Sequence, residues 1–229
     1  MIGEVIANPA TYTDPLHCAI RSEQRPMIEV HHLNASRSRR ITWLLEELGT
    51  PYQVFSYQRD PVTSLAPPEL KAIHPLGKSP VLRDAGQVMI ESGAIVEYLI
   101  RRHGNGRFAP SPDTADYNRY MQLLHYAEGS AMLPLMLKLY VARLGEAGAP
   151  LQPRILSEIQ NHLGWLNSEL AGREYFVGNA LTGADVQLSF VAQCAVKFLG
   201  REAFPNLTAF ADRIEARPAY RRAVARSGE

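Results

Sequence analysis

The chain has 229 residues, 46% of them hydrophobic and 21% charged, with a net charge of +1. This is the composition of a soluble globular protein of one large or two small domains. The balanced charge offers no electrostatic footprint for nucleic acid or an anionic membrane, and no apolar run approaches the roughly 20 residues of a bilayer span.

Residues 1–26 mix Pro, Asn, Thr and charge without periodicity. They lack the basic start and apolar core of a secretory signal and are expected to form an extension that packs weakly on the surface. From Met27 short strands alternate with helices. Residues 27–33 (MIEVHHL) read as a strand. Ile41, Leu44, Leu45 and Leu48 then share one helical face, and Gly49 ends that helix. Residues 52–57 (YQVFSY) form a second strand, so the first thirty residues of this half are a βαβ unit with parallel strands. A short helix is expected over 67–73, and strands over 80–83 and 87–90 flank a hairpin loop at Asp84-Ala85-Gly86. A helix follows over 92–103.

The Gly-, Pro- and Ser-rich stretch at 105–113 reads as a linker. Everything after it reads as helical. A long helix over 117–144 should kink at Pro134, where a hydrogen bond is lost. Ile155, Ile159, Leu163, Leu166 and Leu170 mark another amphipathic helix. Residues 186–199 are apolar nearly all round, the pattern of a buried core helix, and a further helix over 206–217 and a short tail helix complete the chain. Thr182-Gly-Ala-Asp185 has the spacing of a capping box and is assigned to structure.

Chemistry concentrates between Ile73 and Leu99, IHPLGKSPVLRDAGQVMIESGAIVEYL. Ser79-Pro80 stands before a strand, and Pro80 is a candidate for a cis peptide bond. Glu91-Ser92 opens a helix, whose free N–H groups make a ready anion site. Lys78 and Glu91 add one charge of each sign. Together these suit a small, charged, peptide-like ligand. Cys18 and Cys194 lie far apart with no metal-ligand or CxxC spacing, so neither a metal site nor a dithiol couple is expected. Low cysteine use fits a reducing, cytoplasmic compartment. Cys194, on the apolar helix, is expected to be a buried small hydrophobe.

An α/β half carrying GKSPVL and ESGAI, followed by a helical half carrying LTGADV, resembles the cytosolic glutathione S-transferase family, near the bacterial and fungal members of the theta and zeta type. The resemblance covers about residues 27–220. It implies a thioredoxin-like α/β N-terminal domain with a mixed sheet over 27–104, an all-α domain over 114–229, a homodimer, and glutathione as co-substrate with no metal. In that family the glutathione thiolate attacks an electrophile. Carried over by position, the loop after the first strand supplies a donor to the sulfur. Ser36 is the residue chosen, and Asn34 stands second. Helix capping by Ser36 or Ser38 is the competing structural reading. Ser79, before Pro80, would pair its backbone with the cysteinyl part of glutathione. Glu91 would attract the γ-glutamyl ammonium, Ser92 would take its carboxylate, and Lys78 would face the glycyl carboxylate.

The second-substrate pocket is expected where the kinked helix faces the Ser36 loop, with Tyr126, Met132, Leu133, Met136 and Tyr140 as candidates. His125 and Glu128 belong either to the cleft or to the dimer interface. Arg37, Arg39 and Arg40 are expected to form a solvated helix face. The leading functional expectation is conjugation of glutathione to a small hydrophobic electrophile, as in detoxification. The alternatives are a glutathione-dependent disulfide oxidoreductase or peroxidase, and a non-catalytic glutathione-binding module. The absence of cysteine between Leu33 and Arg40 argues against dithiol chemistry.

Overall fold

In the computed structural model, which describes residues 27–228, strand β1 (Ile28–Leu33) organises the N-terminal half. On one side it pairs in parallel with β2 (Tyr52–Tyr57), from Ile28↔Tyr52 to Leu33↔Tyr57. On the other it pairs antiparallel with β3 (Val81–Asp84), with Val30 opposite Leu82. β4 (Gln87–Met89) adds to β3, so the sheet order is β2-β1-β3-β4. This is the expected mixed sheet of a βαβ unit and a hairpin. The hairpin loop is tighter than expected. Asp84 belongs to β3 and pairs with Gln87, leaving only Ala85 and Gly86 to turn the chain. Both have positive φ, as a two-residue turn matching the twist of the strands requires. The expectation for residues 1–26, and for Cys18 within them, lies outside the described residues.

Three helices accompany the sheet: α1 (Arg39–Leu48), α2 (Pro68–Ile73) and α3 (Ser92–His103). Ile28 and Val30 of β1 share a core with Ile41, Leu44 and Leu45 of α1 and with Ile95 and Leu99 of α3. At the end of α1, Gly49 takes φ 69°. Its N–H donates to Glu46 O while that of Thr50 donates to Leu45 O, which closes the last turn.

The helical half comprises α4 (Ala115–Tyr126), α5 (Met132–Val141), α6 (Gln152–Glu169), α7 (Gly183–Leu199), α8 (Pro205–Ala216) and α9 (Pro218–Ser227). The single kinked helix expected over 117–144 is corrected here. Its break is a π-helical turn at Ala127–Ala131, one turn before Pro134, and after Val141 the chain runs in 3-10 turns interrupted at Gly145. The proline ring cannot share space with the carbonyl four residues earlier, so the turn that contains Ser130 widens. Glu128 lies on this wide turn.

α1 bridges the two halves. Its sheet-facing side carries the apolar residues, while Trp43 meets the Tyr220 ring edge-on at 5.7 Å. Arg217 binds Glu47 and Arg222 binds Glu46, tying α9 along the same helix. α7 is buried nearly all round, as its sequence pattern requires. Its first residue must be glycine, because a Cβ at Gly183 would lie 2.6 Å from Ile100 Cδ1 and 2.9 Å from the Tyr120 hydroxyl.

The capping box at the start of α7 is present. The buried Asp185 carboxylate accepts from Thr182 N–H, Thr182 Oγ1 and Phe176 N–H. Asp185→Ala would leave these donors without their partner in the core. We expect a loss of about 3 kcal/mol in urea unfolding, against less than about 1 kcal/mol for an exposed acid such as Glu202.

Candidate active site

The loop from Asn34 to Ser38 joins the C-terminal end of β1 to the N-terminus of α1. Ala35 takes φ 49°, which turns the chain sharply and buries Ser36 and Ser38 beneath it. Ser38 occupies the N-cap position of α1, but its side chain makes no cap bond. Its hydroxyl lies instead 2.8 Å from His32 Nδ1 and 2.7 Å from Ser36 Oγ. Ser36 Oγ also accepts from Ser38 N–H at 3.3 Å, a long bond of the capping kind at the turn that leads into α1. The side chain of Asn34 is committed elsewhere: its Oδ1 accepts from Arg59 N–H at 2.8 Å, and the Arg59 guanidinium returns to Asn34 O at 3.1 Å.

Ser79 sits directly against this loop. Its Oγ lies 3.4 Å from Ser36 Oγ, accepts from Leu33 N–H at 3.1 Å and donates to His31 O at 2.9 Å. The Ser79–Pro80 peptide is cis, and Pro80 is buried at the head of β3. Lys78 is exposed beside it.

Glu91 and Ser92 stand at the start of α3. Glu91 is exposed, has φ 66° and ψ 107°, and makes no side-chain cap bond. A non-glycine residue at that φ is strained, and such strain gathers where a ligand is held. The N–H groups of Ser92, Gly93 and Ala94 precede the first bond of the helix, from Ile95 N–H to Glu91 O. Ser92 is buried, and its Oγ accepts from Arg40 Nη1 at 3.1 Å and from Gln187 Nε2 at 2.9 Å. With both lone pairs occupied, the hydroxyl proton is what Ser92 has left to offer an incoming anion.

Arg40 is the main correction to the sequence reading. It is 1% exposed, not part of a solvated face. Its Nη1 also pairs with Glu128, which takes a two-pronged contact at 2.8 Å from Arg37 Nε. The Phe190 ring lies within 5.4 Å of both guanidiniums. Burial alone would push the Glu128 carboxyl up, but Arg40 and Arg37 override it and hold the group below its ordinary value. Arg40 stands four residues before Leu44 and eight before Leu48, on the buried stripe of α1. That spacing was the available signal, hidden by the presence of three arginines in a row of four.

The five candidates for a second-substrate pocket are dispersed. Met132 is 2% exposed within the core, and Met136 packs against that core. The Tyr126 hydroxyl is 2.6 Å from His162 Nδ1 and its ring meets Trp165 edge-on. Leu133 and Tyr140 are exposed on α5, and Tyr140 is near enough to Arg59 to act on its charge. The cavity beside Ser36 has none of the five in its lining. It encloses about 400 Å³ between the Ala35–Ser36–Arg39 segment and the outer parts of α7 and α8, with Phe190, Cys194, Val196 and Phe198 in its wall. Burial pushes the Cys194 thiol up to about 11, so it is a neutral wall group. Among the described residues no three His, Cys, Asp or Glu side chains are grouped to hold a metal ion.

Sequence comparison gives the family. The glutathione S-transferase N-terminal domain matches residues 25–101 and its C-terminal domain matches residues 124–218. The chain is 36% identical to glutathione S-transferase 3 of Schizosaccharomyces pombe, covering 85% of this chain and 86% of that one. It belongs to the glutathione S-transferase family. Glutathione S-transferase 1 of Saccharomyces cerevisiae is 33% identical, over 85% of this chain and 93% of its own. The crystal structure of a glutathione S-transferase from Actinobacillus pleuropneumoniae superimposes with a TM-score of 0.81 at 35% identity, covering 88% and 93% of the two chains. The protein is a glutathione transferase with a thioredoxin-like N-terminal domain and an all-helical C-terminal domain.

In this transferase the residues that sequence reasoning missed are those bonded behind the candidate ligand residues: His32, Arg40, Arg59 and Gln187. The Arg40–Glu128 contact gives a direct pH prediction. A carboxyl held low in the folded state contributes stability that is present above its unfolded pKa, near 4.5, and is lost as pH falls through the lower folded value. Glu128→Gln should therefore destabilise the transferase by about 3 kcal/mol at neutral pH, because a buried guanidinium loses its counter-charge. The difference from the parent should shrink on acidification below pH 4.5, as read from urea midpoints across that range.

Proposed function

We propose that this transferase joins the thiolate of glutathione to a small hydrophobic electrophile, with Ser36 donating a hydrogen bond to the sulfur. The supporting observation is the commitment of Ser36. It is buried, lines a cavity and stands at the N-terminus of α1, where the capping-type bond it accepts from Ser38 N–H is long, at 3.3 Å. That bond uses a lone pair of Ser36 and leaves the hydroxyl proton to be donated.

A free thiol titrates near 8.5, so lowering it by about two pH units requires roughly 2.7 kcal/mol of preference for the thiolate. A hydrogen bond to a charged acceptor contributes about 1.5–3 kcal/mol, and a helix N-terminus adds about 0.3–1 kcal/mol. Ser36 and α1 together cover the requirement. Arg37 and Arg40 face the single carboxylate of Glu128 and favour an anion nearby.

Ser79 holds the cysteinyl backbone as an added strand would be held, Pro80 shapes that wall, and Lys78 meets the glycyl carboxylate. At the other end Glu91 takes the ammonium, while Ser92 and the first N–H groups of α3 take the γ-glutamyl carboxylate. Asn34 keeps the loop in place through Arg59. The thiolate sulfur forms a bond to the electrophilic carbon, and the displaced group leaves with its electron pair; in an addition, the carbon takes a proton instead. The electrophile sits in the cavity against Phe190 and Phe198, with Leu133 and Tyr140 on the far side of the loop. Cytoplasmic detoxification is the setting that low cysteine use favours.

Ser36→Ala should lower kcat/KM toward 1-chloro-2,4-dinitrobenzene by about 10- to 100-fold and raise the thiol pKa of bound glutathione. An unchanged thiol titration in a variant that still binds glutathione would remove Ser36 from the mechanism.

We also propose a homodimer. Leu133, Leu137, Tyr140 and Leu144 expose an apolar stripe along and just beyond α5, and β4 is an edge strand with Val88 exposed. Light scattering should give a mass near twice the 25.5 kDa of one chain; the mass of a single chain would count against it.

A further inference from the structure

Ser36 is one link in a buried chain of hydrogen bonds that begins inside the sheet. His32 Nδ1 lies 2.8 Å from Ser38 Oγ, Ser38 Oγ lies 2.7 Å from Ser36 Oγ, and Ser36 Oγ lies 3.4 Å from Ser79 Oγ. Each hydroxyl has one proton to give and two lone pairs to fill. The direction of the chain follows from its far end. Ser79 Oγ is 2.9 Å from His31 O, and a carbonyl can only accept, so the Ser79 proton is there. The contact between Ser36 and Ser79 must then be a donation by Ser36. With the Ser36 proton directed outward, Ser38 must donate to Ser36, whose other lone pair takes Ser38 N–H. With the Ser38 proton used in turn, the hydrogen between Ser38 and His32 must sit on Nδ1.

The environment of His32 agrees. The side chain is 1% exposed. Burial, with the Arg39 charge as the smaller cause, pushes the imidazole down to about 4. The ring is neutral near pH 7 and carries one proton, whose position decides which way the chain runs.

We infer that His32 is a positioning residue for the thiolate: donating from Nδ1, it sets a one-way chain from His32 through Ser38 to Ser36 and leaves Ser36 able only to donate. The inference rests on the reading of Ser36 as the sulfur donor. With the opposite tautomer the chain reverses, and Ser36 gives its proton to Ser38 and turns a lone pair toward the sulfur. The same hydroxyl then repels the thiolate it otherwise stabilises. When glutathione arrives, the Ser36 proton leaves only the long 3.4 Å contact with Ser79, so little is lost in redirecting it. Donation along a chain also strengthens its last bond.

The test compares His32→Leu, which removes the donor, with His32→Asn, which keeps an N–H near the place of Nδ1. The readouts are the thiol pKa of bound glutathione, followed by thiolate absorbance against pH, and the affinity for S-methylglutathione, which has no thiol to ionise. His32→Leu should leave about three- to tenfold less thiolate at neutral pH with unchanged S-methylglutathione affinity, and His32→Asn should restore the thiolate. An unchanged thiol pKa in His32→Leu, or an equal shift in both variants, overturns the inference. If His32→Leu does not fold, Ser38→Ala breaks the chain one link later and the same rise is expected; no rise overturns it. Ser36→Ala run in parallel separates the two readings. If it leaves the thiol pKa unchanged, the sulfur-donor reading fails and this inference with it. If it raises the pKa while His32→Leu and Ser38→Ala do not, only the role of His32 is lost.

Discussion

A guanidinium buried where the two halves of the chain meet constrains everything around it. Removing Arg40 from water carries an effective penalty of several kcal/mol, which only well-placed partners can offset. Those partners come from separate elements: Ser92 from α3, Glu128 from the π-helical turn and the Phe190 ring from α7. α1, α3, the π turn and α7 must therefore be assembled together before the charge is satisfied. The widened turn ahead of Pro134 serves this requirement, because it carries Glu128 toward α1. A local backbone irregularity, the closure of the two halves and the orientation of Ser92 are consequences of one buried charge.

The same arginines bear on catalysis. Glu128 neutralises part of their field but not all of it, since one carboxylate faces two guanidiniums, Arg37 and Arg40. Under the proposed mechanism that positive excess stands near the N-terminus of α1, where the sulfur anion would be held. Full neutralisation would make the junction more comfortable and the thiolate less so. The partly compensated cluster suits a site that has to be both folded and anion-binding.

Much of the fold was legible because it follows from periodicity. The α1 stripe of Ile41, Leu44, Leu45 and Leu48, the stop at Gly49 and the all-round apolar pattern of α7 are local signals that packing then respects. The pieces that were misread depend on tertiary context. Nothing local says that Pro134 will widen the preceding turn rather than bend its own, or that Asp84 pairs in β3 instead of turning the hairpin. Within the site, Ser36, Ser79, Glu91 and Ser92 stood out by motif. Arg40 did not, because an arginine among arginines looks solvated until a carboxylate 88 residues away is known to meet it. The apolar pocket was the least legible part. Tyr126, Met132 and Met136 have the composition of a binding wall and the packing of a core, and composition alone does not distinguish the two.

The two ends of the proposed glutathione site share one physical device. At Ser92 both lone pairs are filled from behind, by Arg40 and Gln187. At Ser36, in the inferred direction of the chain, they are filled from behind by the N–H and hydroxyl of Ser38. In each case a group that could accept or donate in water is converted into a donor alone, and in each case the ligand atom it would face is an anion. In the same proposal Glu91 would supply the opposite preference, for the ammonium, from a strained, exposed position that no cap bond occupies. Such selectivity needs no reorganisation when the ligand arrives, since the dipoles are already oriented by groups that never touch it. Affinity and reactivity in this site therefore depend on its second layer as much as its first. A change at Gln187 or Ser38 alters the polarity of a hydroxyl and not merely its position, which a survey of ligand-contacting residues would not reveal.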